Sequence, residues 1–462
     1  MVYAYRTERN RNVSAVKGIF WPSLWYIVVA SRPIGIWLSM WGISLPGGSD
    51  DPTEGSVVDR YFFLTLTIVG FRVLSQRNFN WKAAAGENPA LVAFLVYMAM
   101  SICWSDYAFV SFKRFVKVLG SVVMTFVILT NGDPLGAFTT LLRRCLYIHL
   151  PMSIICTRYF RDIGVSFEFN GTTEEWQGIS MSKNTLGQVT MLGVVYFAWQ
   201  VWKNWPRYGW KNLHLLYLLM ALYLLKGAKS VSMTSASVSV LALFIFLRIQ
   251  YLKGRPQAIR SFVMKAFWAI VVLISFVIIH SLVMFSETSF FGHLITMLGR
   301  DITLTGRTDI WHDVYAVASR NPLMGVGFGG FWIGRIANIP WNAHMTWVLG
   351  QGHSGYVDLY LQLGFIGVGM LLYVFLATFP KLFASFSENF DLACLRITLL
   401  ITIIYVNMTE SVYLRGDHHL WLILMISMWT APKIRKLSKV RPIQPDVVHL
   451  HANEGAIPAP VR

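Results

Sequence analysis

Apolar runs long enough to cross about 30 Å of hydrocarbon recur along the chain near 21–45, 61–76, 90–104, 115–130, 138–157 and 186–202. They continue near 213–228, 231–250, 262–284, 356–379, 396–412 and 417–431. The pattern predicts an all-α integral membrane protein of about twelve transmembrane helices. It divides the chain into a polar N-terminus over 1–20, nine helices over 21–283, a large loop over 284–355, three helices over 356–431 and a tail over 432–462. The tail mixes Pro, His and charge without periodicity and reads as disordered. The first run lacks a small-residue cleavage site, so it reads as a span and not as a removable signal.

Composition agrees. Hydrophobic residues make up 55% and charged residues 14% of the chain, with a mean hydropathy of +0.50. A soluble fold cannot bury that much apolar surface beside so little charge. The net charge of +17 first suggests nucleic acid, but its distribution excludes that partner. Basic residues cluster between alternate runs, at Arg6, Arg9, Arg11 and Lys17, at Arg143 and Arg144, at Lys203, Arg207 and Lys211, and again from Lys433 to Arg441. That is the positive-inside pattern. An even number of spans then puts both termini in the cytoplasm, and 46–60, 105–114, 158–185, 284–355 and 410–416 become outward loops. Cys103, Cys145, Cys156 and Cys394 have no paired spacing, so neither a disulfide framework nor a zinc site is expected.

The longest outward loop carries the candidate chemistry. In the run from Thr305 to Trp311, Thr308 can cap a helix with Asp309 in its first turn. Arg307 precedes that helix start, where a guanidinium and free N–H groups can hold a phosphate, or where the arginine simply pairs with an acid. The glycines from Gly325 to Gly330 read as a compact turn and not as a dinucleotide fingerprint. His353 stands just before the tenth apolar run. There a neutral imidazole can act as a general base, or can simply bond backbone at the interface.

Together these residues resemble the O-antigen ligase and polymerase superfamily. The matching pieces are GRTDIW at 306–311, NPLMGVGFGGF at 321–331 and HSGYVDLYLQLGFIG at 353–367. ASRPIGIWL at 30–38, WSD at 104–106, SKNTLG at 182–187 and SMTS at 232–235 are similar to the branch containing exopolysaccharide polymerases. The resemblance implies a GT-C-like arrangement with a large periplasmic loop between helices 9 and 10. It also implies transfer of a glycan from undecaprenyl diphosphate with no metal or other cofactor. The superfamily's loop arginine falls on Arg307 and its histidine on His353. Its second arginine, in the turn between helices 7 and 8, is replaced here by Lys229, a point charge instead of a fork.

The implied reaction is an inverting glycosyl transfer that polymerises, or ligates, lipid-linked repeat units of a bacterial surface polysaccharide at the outer face of the inner membrane. Arg307 and Lys229 neutralise the departing diphosphate, while His353 takes the acceptor proton or donates to the diphosphate. Arg32 lies within the first span beside Pro33, where a charge costs roughly 2.5–3.5 kcal/mol. It lines a lipid-phosphate path or marks a helix break. Lys183, Asn184 and Glu410 either touch sugar hydroxyls or form a solvated rim, and Arg158 is a substrate-side or headgroup contact. The expected partners are the bilayer, the lipid-linked donor, the glycan acceptor and other polysaccharide assembly or export proteins. The competing reading is a lipid-linked oligosaccharide flippase or other export transporter, which would gather ionisable groups at the midplane of several helices.

Overall fold

The computed structural model describes residues 18–43, 56–167, 173–283, 311, 314–315, 318–333 and 350–431. The expected tail and most of the long loop, Arg307 included, lie outside the described residues.

Every apolar run falls on a helix, and the first is split in two. Helix α1, Phe20–Ala30, ends where Pro33 removes an N–H, and α2, Ile34–Met40, starts again at an angle set by that break. The N–H groups left at the start of α2 are met from outside. Asp59 accepts from Ile34 N at 2.7 Å and Gly35 N at 3.3 Å. Asp59 belongs to α3, Val57–Gln76. After it come α4, Trp81–Glu87, α5, Pro89–Met100, α6, Ala108–Leu129, and α7, Pro134–Tyr159.

The all-helical expectation has one exception among the described residues. A short hairpin, β1 Val165–Phe167 against β2 Glu174–Trp176, is antiparallel with Ser166 opposite Glu175. Helices α8, Lys183–Tyr208, α9, Leu213–Ala228, α10, Val231–Leu252, and α11, Pro256–Val283, follow. The last three are α12, Gly355–Ala384, α13, Phe390–Val406, and α14, His419–Met428.

Among the described residues, α12 alone is long and apolar enough to cross a bilayer unaided. Two bent pairs also qualify, Trp81–Glu87 with Pro89–Trp104 at 104° and Ala108–Leu129 with Pro134–Tyr159 at 120°. Helix α14 is buried along its whole length at the centre of the bundle, and Trp421 Nε1 donates to Ser121 Oγ of α6 at 3.0 Å. The apolar run 417–431 therefore yields a helix that starts at His419, leaving Arg415–His418 in the loop before it.

Helix α12 is also broken. Gly364 sits at φ +62, and an added Cβ would lie 2.2 Å from the Leu323 carbonyl oxygen, so only glycine fits. The turns over 321–327 take the place of the missing intrahelical partners. Phe365 N donates to Pro322 O at 2.9 Å and Ile366 N to Leu323 O at 3.1 Å, while Val326 N and Gly327 N each donate at 3.0 Å to Leu361 O and Gln362 O.

Candidate functional site

The glycine-rich turn anchors one wall of a chamber. Phe328 N donates to Ser101 Oγ at 3.0 Å and Gly329 N to Gln362 Oε1 at 2.7 Å. Gly329 O in turn accepts from Arg114 Nη1 of α6 at 2.6 Å. The chamber has a volume of about 980 Å³ and lies between α1–α2, α3, α6, the start of α12 and the loop 413–418.

Its lining is cationic. Arg60, Lys113, Arg114, Lys117 and Arg415 line it together with Asp59, Asp358 and Asp417. Two of the three carboxyls are committed to structure. Asp59 caps α2, and Asp358 Oδ1 accepts from Gly352 N and Trp332 Nε1, both at 2.9 Å. Asp417 lies 3.8 Å from Lys117 Nζ. Desolvation pushes the half-exposed Asp417 carboxyl up, but Lys117, Arg415 and Arg114 together outweigh it and hold it below the usual carboxylate range.

His418, outside the helices, caps α14 by accepting from Leu420 N at Nδ1, 3.2 Å. That bond leaves Nε2 as the protonated nitrogen of a neutral ring. Desolvation first, and the neighbouring Arg415 second, push the imidazole well below its ordinary pKa, so at neutral pH it is a donor and not a cation.

His353 stands beside this chamber on a turn clamped from both sides. Above it, Gly352 N is held by Asp358, and Gly352 O accepts from Trp311 Nε1 at 2.7 Å. Below it, Gly355 N donates to Asn407 O at 2.9 Å and to Glu410 O at 3.0 Å. Between these clamps His353 takes φ +50, a left-handed conformation that costs a non-glycine residue roughly 1–2 kcal/mol. Its Nδ1 lies 3.5 Å from Gln351 Nε2, and Gln351 Oε1 accepts from Arg415 Nη1 at 2.8 Å. A contact of 3.5 Å does not fix the ring tautomer.

The other residues singled out in the sequence fall in two places. Lys229 caps the C-terminus of α9 at φ +53, left-handed like His353, and is exposed. The next residue, Ser230, donates to Asn184 Oδ1 at 3.2 Å, and Lys183 pairs with Glu175 of the hairpin. Lys183, Asn184 and Lys229 therefore gather at one corner, whereas the chamber is lined by neighbours such as Thr185 and Met181 and by none of these three.

Arg32, 3% exposed, is a structural clamp at the α1–α2 break, donating to Ile163 O at 2.6 Å and Ser180 O at 3.1 Å. Arg158 lies over the rings of Trp176 and Tyr223, at 5.7 and 5.6 Å. Glu410 is buried beneath the His353 turn. Sequence reasoning passed over Arg114, Lys117, Arg415, Asp417 and His418. The signal available was charge in loops expected to face outward, since Lys113, Arg114 and Arg415 all depart from the positive-inside pattern.

Apolar helices closed around a cation-rich chamber define an integral membrane protein. Residues 215–372 match the family model described as O-antigen ligase. The chain is also 21% identical over 311 residues to the exopolysaccharide production protein ExoQ of Rhizobium meliloti (strain 1021), covering 65% of this chain and 67% of that protein. Both matches support the O-antigen ligase and polymerase-like family.

Proposed function

We propose that the chain is a membrane glycosyltransferase that polymerises, or ligates, undecaprenyl-diphosphate-linked repeat units during surface polysaccharide synthesis. The likeness to an exopolysaccharide production protein favours polymerisation. The carrying observation is the position of His353, strained and doubly clamped at the edge of a cationic chamber. Trp311, four residues after Arg307 in the chain, is bonded to Gly352, the residue before His353. This supports one site built from both motifs.

In the reaction, an acceptor hydroxyl oxygen attacks the anomeric carbon of the donor sugar. The bond from that carbon to the diphosphate oxygen breaks with inversion, and its electron pair leaves on undecaprenyl diphosphate. His353 receives the hydroxyl proton, or donates to the diphosphate, and Arg307 with Lys229 neutralises the leaving charge. About twelve spans, cytoplasmic termini and a periplasmic site in the inner membrane complete this reading. A flippase is not favoured, because Arg60, Lys113, Arg114, Lys117 and Arg415 collect around one chamber.

The test uses the purified full-length protein with a lipid-linked donor. His353→Ala and Arg307→Ala should fold normally and lose about 10²–10⁴-fold in transfer rate, while EDTA leaves turnover unchanged. Full activity in both variants, or a strict need for added metal, would overturn the assignment.

A further inference from the structure

The chamber has two chemically different sides. One is charged: Asp417 lies 3.8 Å from Lys117 Nζ, and Arg415 and Arg114 also act on its charge. The other is apolar, lined by Ile43, Leu64 and Phe112, which are 48%, 42% and 54% exposed. Across the whole lining, five cations (Arg60, Lys113, Arg114, Lys117 and Arg415) against three carboxylates (Asp59, Asp358 and Asp417) leave an excess of two positive charges. A polar ligand would leave that apolar mouth wet, and a neutral lipid would leave the cations without counter-charge. A molecule with a doubly charged phosphate head and a hydrocarbon tail satisfies both sides.

The chamber does not take in Lys229. It is instead joined to His353 through Gln351, which accepts from Arg415 at 2.8 Å and lies 3.5 Å from the imidazole. Polymerisation brings two lipid-linked glycans together, one giving up its diphosphate and one supplying a hydroxyl. The group that takes the hydroxyl proton must stand beside the acceptor.

Resting on the reading of the chain as a polymerase, we propose that the chamber is a second lipid-diphosphate site. Arg114, Lys117 and Arg415 hold the acceptor's diphosphate, and the acceptor's isoprenoid tail leaves between α2–α3 and α6 past Ile43, Leu64 and Phe112. Asp417 keeps the three cations apart and oriented. His418, whose Nδ1 is occupied by its capping bond, offers Nε2–H to the same head group.

Binding of geranylgeranyl diphosphate to the full-length protein in detergent tests the assignment by stoichiometry. Wild type should take up two equivalents. Lys117→Ala with Arg415→Ala should take up one, the second being weakened about tenfold to a hundredfold or more. Leu64→Gln should weaken geranylgeranyl diphosphate at this site but not inorganic pyrophosphate. In steady-state transfer, the Lys117/Arg415 pair should raise KM for the acceptor lipid with kcat retained, whereas His353→Ala lowers kcat and still binds two equivalents. Arg415→Lys, which keeps the charge, should restore most of the second equivalent.

Two equivalents bound by the Lys117/Arg415 variant, or only one by wild type, would overturn the second site. An unchanged acceptor KM in that variant would do the same while leaving the glycosyltransferase reading intact. Loss of one equivalent in a protein that never turns over lipid-linked glycan would instead retain the site and sink the function.

Discussion

The contact between Gly355 and Asn407 positions His353, and two substitutions on opposite sides of it should fail to add. Gly355 opens α12 so close to Asn407 that an alanine Cβ would lie 1.9 Å from Asn407 Oδ1. Asn407 is fully buried, at 0% exposure. Its Oδ1 accepts from Val412 N at 3.0 Å and Tyr413 N at 3.1 Å. Gly355→Ala should therefore cost about 1–3 kcal/mol as overpacking. Asn407→Ala orphans two buried amides at about 1–3 kcal/mol each, roughly 2–6 kcal/mol in all.

In the double variant the oxygen that clashes is already gone. Its cost should stay near that of Asn407→Ala, so the two effects fall short of additivity by about 1–3 kcal/mol. Thermal unfolding in detergent, followed by tryptophan fluorescence, reads the stability term. Transfer from a lipid-linked donor reads the positional one, because moving the His353 turn by about 1 Å should cost about 10²-fold in rate. Strict additivity, or a Gly355→Ala protein with wild-type turnover, would refute the idea that this contact holds the His353 turn.

Three further outcomes follow from the same geometry. Arg32→Ala should lower stability by about 2–5 kcal/mol, since a buried guanidinium no longer meets the carbonyls of Ile163 and Ser180. Arg32→Lys should not restore it, because an ammonium cannot span both acceptors; the melting temperature checks both. The Asp417 carboxyl is held below its ordinary value of 3.8, so the stability it adds is present above that pH and fades as pH falls through the lower folded value. Asp417→Asn should flatten this acid limb in melting curves recorded from pH 5 down to pH 3, and an unchanged limb would contradict the cation cluster. Gly364→Ala, at φ +62 with the Leu323 carbonyl oxygen 2.2 Å from the new Cβ, should release the 321–327 turns from α12. Faster proteolysis between 318 and 333 measures that release.

Helix positions were legible because burial in lipid and in a bundle both demand long apolar runs, and these stand out from the loops between them. The break at Arg32–Pro33 and the placing of His353 just before α12 were legible for local reasons, proline chemistry and the end of a hydrophobic run. The chamber cations were not. Lys113 and Arg114 fall in the expected loop 105–114, Lys117 inside the run 115–130 and Arg415 in the expected loop 410–416. They meet only because α14 docks on α6, where Trp421 reaches Ser121 across 300 positions. Hydropathy also counted Asp417 and His418 within the last apolar run, whereas the cap at Leu420 N begins the helix at His419. The glycines of 325–330 announced a turn, but not that Gln362 and Ser101 would take up its amides.

The breaks themselves argue for where the chemistry lies. A helix interrupted within a bilayer frees N–H and C=O groups that hydrocarbon cannot satisfy, so irregular backbone survives there only when buried or lining a cavity. At the α1–α2 break, Asp59 takes the freed amides, while His149 Nε2 and Ser180 Oγ, both 3.1 Å from Ala30 O, attend the freed carbonyl. At Gly364 the 321–327 turns do the same work. In both cases the compensating groups come from distant parts of the chain, and Ser31, Pro33, Asp59, Phe328 and Gln362, at or beside the two breaks, line one chamber. Continuous helices would have filled this space with their own side chains. The sequence instead gives up helical hydrogen bonds at two places, and the polar cavity they frame is the one His353 borders.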